Sequence, residues 1–212
     1  MGAAGPHHRP IRGADVEMSD TIVIGSALGA GLHPDRAQRV YRAVLEAFAR
    51  PGTVQALPRT DFPPALLPAL ALADLETGTH VLEEQQDWTS VLAVATGAPA
   101  APLGTAKYVT ALRPPTVTEF GSVSTGTALS PESAATVVCA VDAVDDGIPV
   151  RLAGPGIESA IAFAPAGFDP ALWQVRRHLV AEFPSGVDLL FVGPDGSVVG
   201  IPRTTVVFGK DN

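Results

Sequence analysis

Arg203 is the residue of this sequence whose chemistry and neighbours are best suited to holding an anion. It lies directly after an apolar run and is followed by the hydroxyl residues Thr204 and Thr205. A planar guanidinium has five N–H donors and can bind an oxyanion, such as a phosphonate or a triphosphate, through two parallel hydrogen bonds. The same group could instead pair with Asp188 across a predicted hairpin and stabilise a sheet. The residue types leave both roles open.

A second candidate site is a cluster of hydroxyl residues around a glycine in the middle of the chain. The run at 122–127 reads Ser-Val-Ser-Thr-Gly-Thr, and Ser-Pro-Glu follows at 130–132. Thr125, Gly126 and Thr127 could contact an anion or a partner through hydroxyls and backbone N–H groups. Hydroxyls around a glycine can equally cap a turn and make local hydrogen bonds. The sequence favours a turn here and keeps these three residues as candidate contacts.

Two glycine-rich segments match phosphate-binding turns only in part. Gly-Pro-Gly at 154–156 follows a predicted strand, but Glu158 and Ser159 stand where a third glycine would be needed. No helix with a suitable N-terminus clearly follows them, so this segment is interpreted as a tight turn. The glycines between 25 and 31 lack the Lys-Ser/Thr ending that would hold a phosphate and its metal.

Residue spacing supports neither a metal site nor a recognisable catalytic site. No two histidines share metal-ligand spacing within a predicted element, and no nucleophile-elbow sequence is present. The single cysteine, Cys139, excludes an intrachain disulfide and a multi-cysteine metal site. Because it lies in the apolar run 135–141, we predict a buried, unreactive thiol and a cytoplasmic protein. Catalytic residues stay unknown, and neither a metal nor a cofactor is predicted.

The composition is typical of one globular domain with a short extension. The chain has 212 residues, of which 46% are hydrophobic, and a formal net charge of −8 without a basic stripe. Nucleic-acid binding is therefore not expected, and the apolar stretch at 22–32 is too short to cross a membrane. A charged fraction of only 17% favours a buried subunit interface. We expect a flexible extension over 1–33, in which Met18 could be the true start, and a single domain over 34–212.

Hydrophobic periodicity predicts helices and strands that alternate in the first half and hairpins that dominate the second. The predicted helices cover 34–50, 63–75, 88–96 and 170–182. The predicted strands cover 53–57, 79–82, 106–112, 135–144, 148–152, 160–164, 187–192 and 198–201. Turn sequences predict hairpins across Asp145-Asp146-Gly147 and Pro194-Asp195-Gly196. This order of elements predicts a layered α/β fold with a mixed sheet.

Five segments, taken together and in this order, resemble the PhnH family of bacterial proteins. They lie at 45–52, 124–132, 151–157, 183–189 and 201–205. The first is a helix end followed by Pro-Gly, and the second reads Ser-Thr-Gly-Thr-Ala-Leu-Ser-Pro-Glu. The others read Arg-Leu-Ala-Gly-Pro-Gly-Ile, Phe-Pro-Ser-Gly-Val-Asp-Leu and Ile-Pro-Arg-Thr-Thr. No single segment identifies the family, and the residues before His33 lie outside the resemblance.

The resemblance implies a three-layer sandwich with a mixed sheet, related to the PLP-dependent transferase fold but without PLP. The residues agree, since a Schiff-base lysine needs a shielded pocket. The two lysines, Lys107 and Lys210, lie in a short predicted strand and close to the C-terminal end. The resemblance further implies a role in phosphonate breakdown. Family members act with PhnG, PhnI and PhnL and replace the adenine of ATP with an alkylphosphonate to give a ribose 1-phosphonate 5-triphosphate.

The resemblance also implies a core complex with PhnG, PhnI and PhnJ, in which PhnJ later cleaves the carbon–phosphorus bond. It supplies no catalytic residues for this subunit, so we expect no activity from the chain alone. Two other functions stay open: a stand-alone PLP enzyme, which the lysines disfavour, and a ligand-binding or assembly module. Such a module would sense a nucleotide or phosphonate through the hydroxyl cluster and Arg203. Whether the isolated chain forms a homodimer is also open.

Overall fold

The computed structural model describes residues 1–2, 31–84 and 86–209. Most of the predicted extension 1–33, with Met18, therefore lies outside the described residues, and so does Lys210. Two sheets and five helices can be assigned in the part of the chain that is described. The helices are α1 Pro34–Ala49, α2 Leu67–Leu72, α3 Trp88–Thr96, α4 Val117–Gly121 and α5 Ala171–Leu179. Short 3₁₀ turns lie at Pro64–Leu66, Leu103–Thr105 and Pro131–Ser133.

A six-stranded mixed sheet forms the centre of the fold. Its strands are β1 Gln55–Ala56, β2 Thr79–Leu82, β3 Tyr108–Ala111, β4 Thr136–Ala140, β7 Asp188–Val192 and β8 Ser197–Ile201. Their order is β1-β8-β7-β4-β3-β2, in which β2, β3, β4 and β7 run parallel. Strand β8 is antiparallel to both of its neighbours, β7 and β1. The parallel strands β4 and β7 are nearly continuous apolar runs, and hydrophobic clusters cover both of their faces.

A smaller antiparallel sheet accompanies the central one. It contains β5 Val150–Ala153, β6 Ile161–Phe163 and β9 Val206–Phe208 in the order β6-β5-β9. Strand β5 pairs with both neighbours, so β6 and β9 form the edges of this sheet. The chain reaches β9 directly from β8, which ends at Ile201, and the connection 202–205 therefore joins the two sheets.

Side chains of the central strands alternate between two separate cores, one on each face of the sheet. Val137 and Cys139 of β4 pack with residues of α4, α5 and the small sheet. Val138 lies in the other core, with residues of α1, α2 and α3. Cys139 is buried as predicted, and burial raises its thiol pKa to about 12. The α/β character and the mixed sheet match the expectation, while the three-layer classification and the relation to PLP-dependent transferases stay predictions.

The hairpin predicted across Asp145-Asp146-Gly147 is wrong. Strand β4 lies between β3 and β7 with parallel pairing on both sides, and β5 belongs to the small sheet. The turn sequence was locally suitable, but β4 is an apolar run that both cores bury. A central parallel position covers such a strand on both faces. The second hairpin is confirmed, since β7 and β8 are antiparallel neighbours across Pro194-Asp195-Gly196.

Helices α1, α3 and α5 begin within one residue of their predicted starts, whereas α2 begins at Leu67, four residues after its predicted start. Helix α5 ends at Leu179, three residues before the predicted end at 182, and Phe183 beyond it is 72% exposed. Tyr41 and Leu45 of α1 are large apolar residues at helical spacing, yet both are half exposed. Helix α4 and strand β9, which are only five and three residues long, were not predicted. No helix among the described residues is long and apolar enough to span a bilayer.

Candidate functional site

Arg203 forms a close ion pair with Asp188 at the end of the central sheet where β7 begins. Its Nη2 lies 2.5 Å from Oδ2 of Asp188, and its Nε lies 3.2 Å from the same oxygen. The backbone N–H of Arg203 also donates to Oδ1 of Asp188 at 2.8 Å. Both side chains are largely buried, with exposed fractions of 17% and 22%. Of the two roles left open for Arg203, the structure contains the pairing with Asp188.

The other end of the Arg203 guanidinium joins two distant loops. Its Nη1 donates to the carbonyl oxygens of Pro131 at 2.9 Å and Pro184 at 3.2 Å. A backbone bond from Gly186 to the carbonyl of Thr125, 2.8 Å long, links the same two loops. Because a guanidinium presents its donors in a fixed plane, these contacts determine the relative positions of three segments. We refer to Arg203, Asp188, Pro131 and Pro184 as the arginine junction.

The predicted hydroxyl cluster forms a turn that uses its own polar groups. The Oγ1 of Thr127 accepts from the N–H of Ser130 at 3.0 Å, and the Ser124 hydroxyl donates to the carbonyl of Ser133 at 3.0 Å. Gly126 has a φ of +65°, and a Cβ there would lie 2.9 Å from the Ser130 carbonyl oxygen. The turn interpretation of this segment therefore has direct geometric support. Thr125, Gly126 and Thr127 support the arginine junction from the side of Pro131.

The Gly-Pro-Gly segment at 154–156 also has a packing explanation. A Cβ on Gly154 would lie 2.9 Å from the carbonyl oxygen of Thr204, and one on Gly156 would lie 2.5 Å from that of Ala49. The N–H of Ile157 closes the turn onto Gly154 at 3.1 Å. Strand β6 follows, so no helix N-terminus is available to hold a phosphate here. The tight-turn interpretation fits this geometry.

Next to the arginine junction, a cleft of about 490 Å³ lies between α5 and β9. It is bounded by one helix, by the connection 202–205 and by the edge strand of the small sheet. Its lining combines three arginines, two threonines and an apolar wall. The lining residues are Trp173, Arg176, Arg177, Val180, Phe183, Arg203, Thr204, Thr205, Val206, Val207 and Phe208. None of these residues is acidic.

Arg176 is the most unusual residue of this cleft. Only 2% of it is exposed, and its Nη2 donates to the carbonyl oxygen of Pro202 at 2.8 Å. Its Nε has no hydrogen-bond partner among the described residues. Burial lowers the pKa of the guanidinium to about 10, although the charge of Asp188 acts in the opposite direction. Arg176 therefore stays protonated at neutral pH as a buried, incompletely compensated cation.

The two threonines of the cleft differ from each other. Thr204 is exposed, whereas only 1% of Thr205 is exposed and its Oγ1 has no partner within the described part of the chain. Nearly all buried hydroxyls in folded proteins form a hydrogen bond. Arg176 and Thr205 thus belong to the same cleft lining, but the unpartnered atom of each is buried beneath the cleft surface.

The structure brings some of the predicted site residues together and separates others. Arg203 and Thr204 line the cleft, while Thr125, Gly126 and Thr127 are outside its lining. Arg176 and Arg177 were not predicted as site residues, and Thr205 was noted only as a neighbour of Arg203. A signal was present for Arg176, because it lies four residues after the buried Leu172 and therefore falls on the apolar face of α5. A charged residue on such a face is seldom buried without a reason.

A second arginine pair lies at the opposite end of the parallel strands, beyond their carboxyl ends. Open α/β sheets usually bind ligands beyond the carboxyl ends of their parallel strands. Shortly after β3, Arg113 binds both carboxylate oxygens of Glu119, at 2.6 and 3.0 Å. Glu119 also completes a capping box with Thr116 at the start of α4. The Arg113 hydrogen bonds, with those of Thr116, lower the pKa of the Glu119 carboxyl to about 2.

A known protein family matches most of this chain. The family model described as bacterial phosphonate metabolism protein (PhnH) matches residues 31–208. The chain belongs to the PhnH family. The resemblance found in the five segments is thereby confirmed, and the family match begins two residues before His33.

Two curated relatives agree with this assignment. The alpha-D-ribose 1-methylphosphonate 5-triphosphate synthase subunit PhnH of Rhizobium meliloti (strain 1021) is 31% identical over 181 residues. That match covers 80% of this chain and 88% of the relative. A protein of Stutzerimonas stutzeri, provisionally named as the C-P lyase subunit HtxG, is 41% identical over 80 residues. The second match covers only 38% of this chain and 40% of the relative.

The five segments that resemble the PhnH family contact one another in space. The second, fourth and fifth segments meet at the arginine junction through Pro131, Pro184 and Arg203. Gly154 of the third segment approaches the backbone of Thr204 in the fifth. Gly156 of the third approaches the end of α1 in the first. The family pattern therefore follows one connected region of the fold, next to the cleft.

Proposed function

We propose that this chain is a subunit of the system that forms an alkylphosphonate ribose 5-triphosphate from ATP and an alkylphosphonate, with release of adenine. In this proposal it acts with PhnG, PhnI and PhnL, in the cytoplasm, as a single domain over 34–212 related to the PLP-dependent transferase fold. The observation that carries the proposal is the match to the Rhizobium meliloti synthase subunit, which extends over 80% of this chain and 88% of that protein.

The chemistry of the chain suits a supporting subunit better than an independent catalyst. Within the described ranges, no group of three or more histidines, cysteines, aspartates and glutamates is placed to hold a metal ion. Cys139 is enclosed in the core, and Lys107 follows a 3₁₀ turn at the start of β3. The arginines can bind and orient anionic groups, which is a positioning role. We therefore propose that catalysis needs groups from other subunits.

Exposed apolar residues next to the arginine junction support assembly with partners, which we propose to be PhnG, PhnI and PhnJ. Leu129 is 96% exposed and lies two residues before Pro131, while Phe183 is 72% exposed and directly precedes Pro184. Arg203 binds the carbonyl oxygens of both prolines, so the two loops lie side by side. Large apolar side chains on rigid loops are typical of contact surfaces.

A second function is favoured by the cleft beside α5. A non-catalytic module that binds a nucleotide or a phosphonate would need a cationic cleft with an apolar wall, and Arg176, Arg177 and Trp173 provide those features. The two functions are compatible, since an assembly subunit can also hold a substrate. They differ in whether the isolated chain binds a ligand.

Reconstitution tests the proposed function. We expect no adenine release from ATP and methylphosphonate by this chain alone, full turnover with PhnG, PhnI and PhnL, and loss of turnover when this chain alone is omitted. Turnover by the isolated chain, or undiminished turnover without it, contradicts the proposal. Leu129→Ser should reduce co-purification with the partners, whereas Leu75→Ser is a control, because Leu75 is 77% exposed but lies outside the five segments.

A further inference from the structure

The two edges of the central sheet differ in how the chain covers them. At the β2 edge, the N–H of Thr79 donates to the carbonyl of Pro99 and its carbonyl accepts from the N–H of Ala101, both at 2.9 Å. At the other edge, β1 has β8 on one side and no strand on its outer side within the described ranges. Unpaired N–H and C=O groups at a sheet edge can pair with another chain, so proteins usually cover or shorten such edges. In the central sheet, the described residues leave the β1 edge open.

Strand register shows that the backbone of Ala56 points away from the sheet. Both residues of β1, Gln55 and Ala56, lie opposite residues of β8. The next residue, Leu57, donates its N–H to the carbonyl of Gly196 at 2.8 Å. Because residues of an antiparallel pair alternate between bonded and non-bonded positions, Gln55 and Leu57 bond towards β8 and Ala56 faces outward. Ala56 is exposed, so its N–H and C=O are available to an added strand.

A groove of about 360 Å³ lies beside this edge, between β1 and α1. Its lining residues are Arg39, Arg42, Ala43, Glu46, Gln55, Ala56, Leu57 and Pro58. Glu46 is the acidic member of this set, and its carboxylate lies 3.4 Å from the guanidinium of Arg50. Arg39 and Arg42 are exposed and form no ion pair within the described part of the chain. A segment placed in this groove therefore meets an open backbone and two unpaired guanidinium groups.

The charge of α1 is opposite to that of the whole chain. The helix contains three arginines and two acidic residues, and Arg50 follows it directly. The chain as a whole has a formal net charge of −8. Opposite charges across an interface steer the encounter and select the partner. The groove wall is thus a cationic surface on an acidic protein, and it favours a negatively charged partner.

A purely structural explanation covers only part of this arrangement. A two-residue edge strand is one way in which proteins limit edge pairing. Proteins also block an edge with a charge or a proline on the strand itself, but Val54, Gln55 and Ala56 carry neither. Val54 is also 55% exposed. An uncharged edge with an exposed apolar residue, beside a concave cationic wall, suits a contact surface better than a blocked edge.

We propose that an extended, acidic segment of a partner protein adds to the sheet along β1 and lies in this groove. Its backbone pairs with the N–H and C=O of Ala56, and its carboxylates bind Arg39 and Arg42. Backbone pairing provides binding without regard to sequence, while the two arginines select carboxylates on the side of the segment that faces α1. The choice of PhnG, PhnI and PhnJ as partners rests on the proposed function, whereas the surface and the chemistry of the segment rest on the geometry.

Hydrogen–deuterium exchange tests the edge directly. The full chain is compared alone and in its complex with PhnG, PhnI and PhnJ, and exchange is read at the amide of Ala56. We expect rapid exchange in the isolated chain and at least about tenfold slower exchange in the complex. Protection already present in the isolated chain would mean that another part of the chain or a second copy covers the edge, and it overturns the proposal. Unchanged exchange in the complex overturns it as well.

A pair of variants at Ala56 separates backbone pairing from side-chain contacts. Ala56→Pro removes the outward N–H and keeps the bonds of Gln55 and Leu57 to β8, so the fold should stay intact while the affinity for the partner complex falls at least about tenfold. Ala56→Val keeps the N–H and should bind within about twofold of the wild type. Melting curves check that both variants are folded. Wild-type affinity of a folded Ala56→Pro, or equal losses in both variants, overturns the proposal.

A matched pair of arginine variants tests the acidic character of the segment and does not depend on how the fold tolerates proline. Arg42→Glu places a carboxylate in the groove and should weaken the affinity by about tenfold, with a smaller loss at high salt. Arg36→Glu changes the net charge by the same amount on an exposed part of α1 outside the groove lining, and should leave the affinity unchanged. Equal weakening by both variants, or no weakening by Arg42→Glu, overturns the proposal.

Adenine release, measured separately, distinguishes this proposal from the proposed function. If release depends on this chain, but Ala56→Pro and Arg42→Glu bind the partners like the wild type, the β1 surface is wrong and the proposed function stands. If the Ala56 amide is protected in the complex and both variants weaken it, but release does not depend on this chain, the β1 surface stands and the proposed function is wrong. Absence of any complex with these subunits overturns the β1 surface, and adenine release then decides the proposed function by itself.

Discussion

Two arginines at the same cleft, Arg203 and Arg176, are buried in opposite ways. Arg203 donates to a carboxylate and to two backbone carbonyls, and these partners come from two separate segments, 124–132 and 183–189. Arg176 is even more buried, yet it forms one hydrogen bond, to Pro202, and keeps an unused Nε among the described residues. Both are cations with little access to water, and only Arg203 has a carboxylate in contact with it.

The difference separates an arginine whose donors are used within the fold from one that keeps an unused buried donor among the described residues. A guanidinium whose donors are used within the fold stabilises that fold and has little left to offer a ligand. A guanidinium with an unused buried donor is a cost to the fold. The residue types alone made Arg203 the leading candidate for an anion contact, whereas the fold uses its donors and leaves Arg176 with an unused one.

The largest effect is expected from breaking the arginine junction. Arg203→Ala should lower the free energy of unfolding by about 3 kcal/mol, because it leaves Asp188 unpaired and frees the carbonyls of Pro131 and Pro184. Asp188→Ala should cause a similar loss, and the double variant should lose much less than the sum. Urea unfolding measures all three. The exposed Arg59 is the control, since Arg59→Ala should change stability by no more than about 0.5 kcal/mol.

Stability equal to that of the wild type in Arg203→Ala would contradict this assignment. Strict additivity of the two single variants would also contradict it, because residues that form one pair must show coupling. Intact folding combined with lost partner binding would mean that Arg203 contacts a partner and does not stabilise the fold.

A smaller effect is expected at the second arginine pair, where the contacts are close in sequence. Glu119 has its pKa lowered from 4.5 to about 2, first by the hydrogen bonds from Arg113 and then by those from Thr116. The stability that its charge provides is therefore complete above about pH 4.5 and is lost as the pH falls towards about 2. Glu119→Gln should cost roughly 1 kcal/mol at neutral pH and make the stability curve flatter over that window.

Urea unfolding at several pH values between 2 and 7 checks this prediction. Glu132→Gln is the control, since Glu132 is exposed and lies at a 3₁₀ turn away from Arg113. A flattened acid limb in both variants, or in neither, would show that Glu119 does not provide the predicted part of the acid sensitivity.

The smallest effect is expected from replacing the buried arginine of the cleft with an apolar residue. Arg176→Met keeps most of the side-chain length and removes an incompletely compensated charge, so stability should stay within about 1 kcal/mol of the wild type. Arg203→Met should lower the free energy of unfolding clearly more, because it removes the hydrogen bonds to Asp188, Pro131 and Pro184. Thermal melts of the two variants side by side provide the comparison. Equal losses would mean that Arg176 is as structural as Arg203.

Local sequence signals predicted those elements whose partners are close along the chain. Helix α3 was predicted from Trp88 to Thr96, and it has these bounds because Asp87 caps its first turn and Gly97 follows its last residue. The hairpin of β7 and β8 was equally predictable, since Asp195 accepts from the N–H of Ser197 within the turn. In both cases the deciding contacts span fewer than ten residues.

Local turn and periodicity signals gave wrong or missing predictions where a strand pairs with strands distant in sequence. The turn at Asp145-Asp146-Gly147 suited a hairpin, but β4 gained two parallel neighbours instead. Strand β9 was missed because three residues carry little periodicity, and it exists by pairing with β5, more than fifty positions earlier. Helix α4 was missed for its length, although its capping box of Thr116 and Glu119 was readable.

The sequence by itself determined the family, most of the elements and the importance of Arg203, because those depend on residue order and on short-range periodicity. Only the tertiary structure decided which arginines have partners. The bond from Arg203 to Pro131 spans 72 positions, and that from Arg176 to Pro202 spans 26. Whether a buried donor is satisfied depends on which backbone carbonyls fold back to meet it, and no local pattern records that. The cleft between α5 and β9 exists for the same reason.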